Sequence, residues 1–362
     1  MWVADMDFVS PPAVIQALQE RTAQGVFGYP LGLDGNPKEN AELRLVIVER
    51  LERLYKWKVQ PEDLVFIPGV VTGFNLACHM VSSPAGGVLV QTPVYHPILR
   101  APENAGMFRQ EAEIIPASSL HYEIDWNRFE SAFTDQTRLF ILCNPHNPVG
   151  RVFTRVELDR IAENCLSHNV IICSDEIHCD LVYPGNHHIP IASLDPEIAR
   201  HTITLMAPSK TFNIPGLQFA FAIIQDSTLR QQYQKAGRGL VGWVNLMGLT
   251  AALAAYRDSQ EWLECLLVYL QGNRDRLCAY LEKNLPQLHT NCPEGTYLAW
   301  IDCRAAGIEG SPYEFFLSKA QVAFNDGKIF GTGGEGFVRM NYACSRRMLQ
   351  VALQRMKQAL NG

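Results

Sequence analysis

Residues 170–178 read Val-Ile-Ile-Cys-Ser-Asp-Glu-Ile-His: four apolar residues running straight into a polar, acidic cluster. A strand buried on both faces has that unbroken apolar run, whereas a strand with one wet face alternates. The same design recurs along the chain, in Leu64–Ile67, Val88–Gln91, Leu139–Cys143, Thr202–Met206 and Phe219–Ile224. Helical segments separate most of these runs. Thr72–Val81 is one. Arg155–His168 is another, and it opens with Thr154 and Glu157 in the spacing of a capping box. Strands alternating with helices predict an α/β fold around a mostly parallel central sheet flanked by helices.

Beyond about residue 240 the pattern changes. A helical stretch runs from Asn245 to Asn284 and stops at Pro286. Short segments follow at Thr296–Ile301 and Phe337–Asn341, and an amphipathic helix closes the chain at Ser345–Leu360. A helix is also expected over Pro12–Gln24, entered through Pro11 and Pro12, with a Gly/Pro-rich loop over Gly25–Pro37. The expected division is a large domain over 38–265, with 1–37 and 266–362 forming a smaller α+β domain.

Composition narrows the function. The 362 residues carry 31 Lys and Arg against 37 Asp and Glu, a net charge of −6 that argues against a nucleic-acid footprint. No apolar run approaches the ~20 residues of a membrane span. Neither a basic nor an apolar leader follows Met1, so a cytoplasmic location is expected. The 10 cysteines are scattered without a CxxC pair and read as reduced, mostly buried thiols.

Ligands of open α/β sheets bind at the carboxyl ends of strands. Four polar clusters follow strands there: Pro68-Gly69-Val70-Val71-Thr72-Gly73, Asn144-Pro145-His146-Asn147-Pro148-Val149-Gly150, Ser174–His178 and Ala207-Pro208-Ser209-Lys210-Thr211-Phe212-Asn213. A helix-start anion cradle, an Asn, an acid and a Lys therefore converge on one edge. That set suits pyridoxal 5′-phosphate, which needs an amine for covalent attachment, an acid beside its ring nitrogen and a phosphate cradle.

At these residues the chain resembles the fold type I pyridoxal-phosphate enzymes of the class I/II aminotransferase superfamily. More narrowly, it resembles the MalY/PatB group of cystathionine β-lyases. The likeness runs nearly end to end. Besides the clusters above it includes Trp2-Val3-Ala4-Asp5-Met6-Asp7-Phe8, Gly25–Tyr29, Pro215–Gln218, Pro293–Trp300 and Gly333–Asn341. Members of that group carry a short arm ahead of the Trp-Val-Ala-Asp motif, with which this chain almost begins, so a truncated or misassigned start is expected.

The resemblance implies roles. Lys210 attaches the cofactor and then serves as the base at Cα. Asp175 pairs with the ring nitrogen, and Asn147 bonds the ring oxygen. Tyr95 stacks on the ring, and His178 belongs to the same shell. The phosphate sits on the amides of Val70 and Val71, with the Ser209 hydroxyl added. Tyr29 reaches the phosphate site of a neighbouring subunit, which implies a homodimer with shared sites. Arg339 clamps the substrate carboxylate, and Ala4 and Asp5 line the opposite wall. General aminotransferases often have Tyr at the place of His178, Arg at the place of Gln218 and a hydroxyl residue at the place of Ala207. The first two departures favour a carbon–sulfur β-lyase over an aminotransferase. A regulatory protein that binds a transcriptional activator is a third reading.

Two patterns are decoys. Gly331-Thr332-Gly333-Gly334-Glu335-Gly336 spells a dinucleotide fingerprint but precedes a strand rather than a helix. His178, Cys179, His187 and His188 match no common metal spacing.

Overall fold

The computed structural model describes residues 1–29, 38–117 and 121–361. Eight strands form one sheet: β1 (Leu64–Ile67), β2 (Gly87–Thr92), β3 (Phe108–Pro116), β4 (Tyr122–Ile124), β5 (Thr137–Cys143), β6 (Ile171–Asp175), β7 (Thr202–Met206) and β8 (Ala220–Ile223). Their order is β1-β8-β7-β6-β5-β2-β3-β4. The five strands from β7 to β3 run parallel. β8 is antiparallel to both β7 and β1, so β1 points the same way as the parallel set. Every residue of β2, β7 and β8 is buried, as unbroken apolar runs require.

A second sheet of four strands holds β9 (His289–Thr290), β10 (Leu298–Asp302), β11 (Asn325–Asp326) and β12 (Phe337–Asn341), in the order β11-β12-β10-β9, all antiparallel. Trp300 of β10 joins the two sheets. Its ring stacks on Phe337 at 5.0 Å, and its indole N–H donates to the Tyr122 hydroxyl of β4 at 3.0 Å.

Local chemistry places the helices. Helix α1 (Pro12–Gln24) has Pro at its first turn and ends on Gly25, whose φ of 66° suits glycine. Helix α2 spans Lys38–Tyr55, and α3 spans Val70–Val81, starting two residues before the expected Thr72. The capping box forms as read: Glu157 N donates to Thr154 Oγ1 at 3.3 Å, and Thr154 N donates to the Glu157 carboxylate at 2.7 Å. The stretch expected as one helix from Asn245 is two, Leu246–Asp258 and Gln260–Asn284, separated at Ser259, whose backbone leaves the helical region. The strand expected from Thr296 begins at Leu298, because Thr296 sits at φ 68° in a turn. The end of the Gly25–Pro37 loop, from residue 30, lies outside the described residues.

One expectation is corrected. Cys278 and Cys292 are bonded, not reduced. The long helix carries Cys278 past the segment that leads into β10, and the two Cα atoms stand 6.1 Å apart, within disulfide reach. Cys265 is exposed; the other seven cysteines are buried thiols. No helix among the described residues is long and apolar enough to cross a membrane.

Candidate active site

A cavity of about 160 Å³ opens at the carboxyl ends of β1, β5, β6 and β7. Its walls include Val70 and Val71, Tyr95, Asn147, Asp175, His178, Ser209 and Lys210, together with Ala4 and Gln218. Eight of the twelve anticipated site residues are thus gathered on one cavity wall from separate strand ends, and Ala4 is a ninth. Arg339, Asp5 and Tyr29 stand apart from that wall.

Lys210 follows β7 on a short helical turn. Its Nζ donates to the Ala4 carbonyl at 2.6 Å. Burial pushes its amine down to about 8, aided by the nearby Arg339 charge and opposed by Asp5 and Asp175. A large fraction is then the free, nucleophilic amine at mildly alkaline pH. Asp5 contributes that charge and its backbone carbonyl, which accepts Asn341 Nδ2.

Asp175 closes β6. Burial pushes its carboxyl up to about 7; the Ile177 amide, bonded at 3.2 Å, and Lys210 pull it down, and the Glu176 charge adds to the rise. Its site lacks a cation strong enough to hold the anion without help. Burial likewise drives the His178 imidazole down to about 3, with the Lys210 and Arg339 charges adding to the fall. His178 is therefore neutral, and its Nδ1 is buried with no partner among the described residues.

Arg339 lies on β12, 4% exposed. It donates to Asn147 Oδ1 at 3.0 Å, Asn325 Oδ1 at 2.6 Å and the Trp2 carbonyl at 3.0 Å. All three acceptors are neutral. Among the described residues no carboxylate pairs with it, and burial pushes it down to about 10. Tyr29 is 79% exposed and packs edge-on against Trp243 at 5.1 Å, outside its own chain's cavity.

Three residues escaped the sequence reading. Tyr297 donates to the same Ala4 carbonyl at 2.9 Å. Asn213 grips the opening segment through Met6 N, Met6 O and Phe8 O. Asn325 steadies Arg339. The position of Asn213 within Ser-Lys-Thr-Phe-Asn was a signal for it; Tyr297 and Asn325 carried none, because their partners lie far off in sequence. The glycine run forms a turn into β12, with Gly331, Gly333 and Gly336 at φ 82–88°. Among the described residues no cluster of His, Cys, Asp and Glu could hold a metal.

The donor set fits pyridoxal phosphate. An amine of lowered basicity and a buried acid line one cavity. The first amides of α3, free of helical partners by position, form an anion cradle at the positive end of a helix. The unpartnered His178 nitrogen is a further polar atom left for a ligand.

Comparison with known proteins agrees. Residues 3–356 match the family described as aminotransferase class I and II. The cystathionine beta-lyase PatB of Bacillus subtilis is 39% identical over 100% of this chain and 92% of its own. The MalY protein of Escherichia coli is 31% identical over 96% of this chain and 88% of its own. The pyridoxal-phosphate-bound C–S lyase of Staphylococcus hominis, complexed with L-cycloserine, superposes with a TM-score of 0.93 at 33% identity, covering 99% of this chain and 92% of that one. Sheet order, cavity and sequence together place this chain in the class I and II aminotransferase family, with the fold type I architecture and among the PatB and MalY relatives.

Proposed function

We propose that the chain is a pyridoxal-phosphate-dependent carbon–sulfur β-lyase. It takes L-cystathionine or a related cysteine S-conjugate and yields a thiol (homocysteine from cystathionine), pyruvate and ammonia. The observation that carries this reading is the meeting of Lys210, Asp175 and the Asn147–Arg339 pair at one sheet edge, in a chain 39% identical to a cystathionine β-lyase.

Bound, the cofactor supplies a protonated pyridine ring that draws off the electron pair left at Cα. The chain's residues do the rest. The α3 amides and Ser209 hold the phosphate. Asp175 keeps the ring nitrogen protonated, since an opposite charge favours the charged form. Asn147 bonds the ring oxygen, and Tyr95 covers one face. Arg339 receives the substrate carboxylate in its planar fork. Lys210 would hold the cofactor covalently, and its amine, once free, would take the substrate Cα proton. The Cβ–S bond then breaks with its electron pair leaving on sulfur, and the three-carbon remainder hydrolyses to pyruvate and ammonia. No 2-oxo acid is needed to take up the amino group, which leaves as ammonia, and this separates the course from transamination.

The working unit in this reading is a homodimer, in which Tyr29 of the partner subunit completes the phosphate site. The exposure of Tyr29, and of Val26, Phe27, Leu240 and Trp243, supports it.

The test is product analysis of cofactor-loaded protein on L-cystathionine. Pyruvate and free thiol in equal amounts are expected. A 2-oxo acid that retains the sulfur side chain, with the cofactor converted to its amine form, would overturn the lyase in favour of an aminotransferase.

A further prediction follows from Asp175. Its carboxyl holds its proton to about pH 7 in the cofactor-free fold but only to about 3.8 when unfolded. The native state thus binds the extra proton between those values, and stability from this group falls as pH rises through that window. Cofactor-free wild type should therefore lose stability relative to Asp175→Asn between pH 5 and pH 8. Melting temperatures of the two proteins at both pH values check this. Added pyridoxal phosphate should narrow the gap at pH 8 for the wild type.

A further inference from the structure

Behind Asp175 lies a second carboxylate. Glu176 Oε1 accepts the Ser174 hydroxyl at 2.8 Å and the Ile191 amide at 3.3 Å, and Oε2 meets His188 Nε2 at 2.7 Å. Both side chains of the Glu176–His188 contact are 1% exposed. Neither lines the cavity. Alternation along β6 puts Asp175 on the cavity side and Ser174 on the other. The Tyr55 ring of α2 stands edge-on to His188 at 5.6 Å.

Two adjacent carboxylates therefore share one buried strand end. The reaction needs one of them as the anion opposite the ring nitrogen. An uncompensated second anion would raise the proton affinity of every group nearby. The other charged or titratable groups around Glu176 are Arg50 and Tyr55 of α2, and Cys179 and Asp180 of the turn after β6. Arg50 is spent on Asp180 at 2.6 Å. Burial holds the Tyr55 hydroxyl and the Cys179 thiol neutral. On that side of the strand, among the described residues, His188 is the basic side chain in contact with Glu176. The 2.7 Å separation is that of a charge-assisted bond.

We propose that Glu176 and His188 form a buried ion pair whose role is to cancel the Glu176 charge, so that Asp175 alone sets the charge facing the ring nitrogen. Both are positioning residues. The inference rests on the reading of Asp175 given above, and it extends that reading to residues that touch neither cofactor nor substrate.

The experiment is a pH titration of the absorbance of the lysine-bound cofactor in holoenzyme, for wild type, His188→Gln and Glu176→Gln, with melting temperatures alongside. Glutamine at 188 can still donate to Glu176 but carries no charge, so one net negative charge appears. The transition should move up by about one pH unit, the scale for a unit charge at roughly 12 Å across an effective dielectric of about 20. Glu176→Gln removes both charges, because a buried imidazolium without its anion gives up its proton. Its transition should stay at the wild-type position. An unmoved transition in His188→Gln, or a downward shift in Glu176→Gln, overturns the pair, even if both variants melt earlier. A wild type that shows no lysine-bound cofactor band overturns the cofactor reading itself and the pair's role with it.

Discussion

Lys210→Ala should abolish pyruvate and thiol formation from L-cystathionine, by at least about 10⁴-fold, the upper range for a single proton-transfer group. The loss should exceed that of any other single substitution, because one side chain supplies both covalent attachment and the base at Cα. Lys210 is the amine of the cavity wall, and among the described residues no other Lys lines it. Folding should survive. The Nζ makes one hydrogen bond, to the Ala4 carbonyl, which Tyr297 also serves. Retained melting temperature with pyruvate lost is the expected pair of results. Residual turnover within tenfold of wild type would remove Lys210 from the mechanism.

Arg339→Lys should lower kcat/KM for amino-acid substrates by about 10–10²-fold, with most of the effect in KM. The effect is electrostatic. A guanidinium that is 4% exposed and faces three neutral acceptors carries a charge the protein leaves uncancelled. Such a burial costs several kcal/mol unless an anion arrives. In the proposed reaction the substrate carboxylate is that anion. Lysine would keep the charge but not the planar fork, which amounts to losing one charged hydrogen bond of about 1.5–3 kcal/mol together with the geometry. Steady-state kinetics on L-cystathionine check this. An unchanged KM would place the carboxylate elsewhere.

The parallel heart of the sheet was legible because β5, β6 and β7 are buried on both faces and so read as apolar runs. β3 was not. Its sequence, Phe-Arg-Gln-Glu-Ala-Glu-Ile-Ile-Pro, is charged because both ends of the strand are exposed, and it shows no clean period. Helix α2 has a related reason: Arg50 interrupts its apolar face, yet Arg50 is buried by its bond to Asp180. At the site, the residues with chemistry at strand ends could be read directly. Lys210, Asp175 and Asn147 each follow a strand whose apolar run announces it. What could not be read were partners fixed only by tertiary folding. Asn325 reaches Arg339 across paired strands. Cys278 meets Cys292 from a long helix. His188 looked like a stray metal ligand, because its carboxylate partner stands twelve positions earlier, at the end of a strand.

The segment from Trp2 to Phe8 has a temporal consequence. It is held almost wholly by residues translated long after it: Asn213 clasps Met6 and Phe8, Tyr297 and Lys210 bond to Ala4, and Asn341 reaches Val3 across a separation of 338 positions. During synthesis this stretch gains Lys210 and Asn213 only after β7 is made, Tyr297 later still, and its full set of anchors only when the strand bearing Asn341 has left the ribosome. Contacts of such long range are paid for in loop-closure entropy before they return anything. The large sheet can assemble earlier from its own neighbours, so the wall facing Lys210 is laid down last. The nascent enzyme is therefore built with its reactive amine open on one side, and it acquires a closed site only when the two far ends of its chain are stitched together.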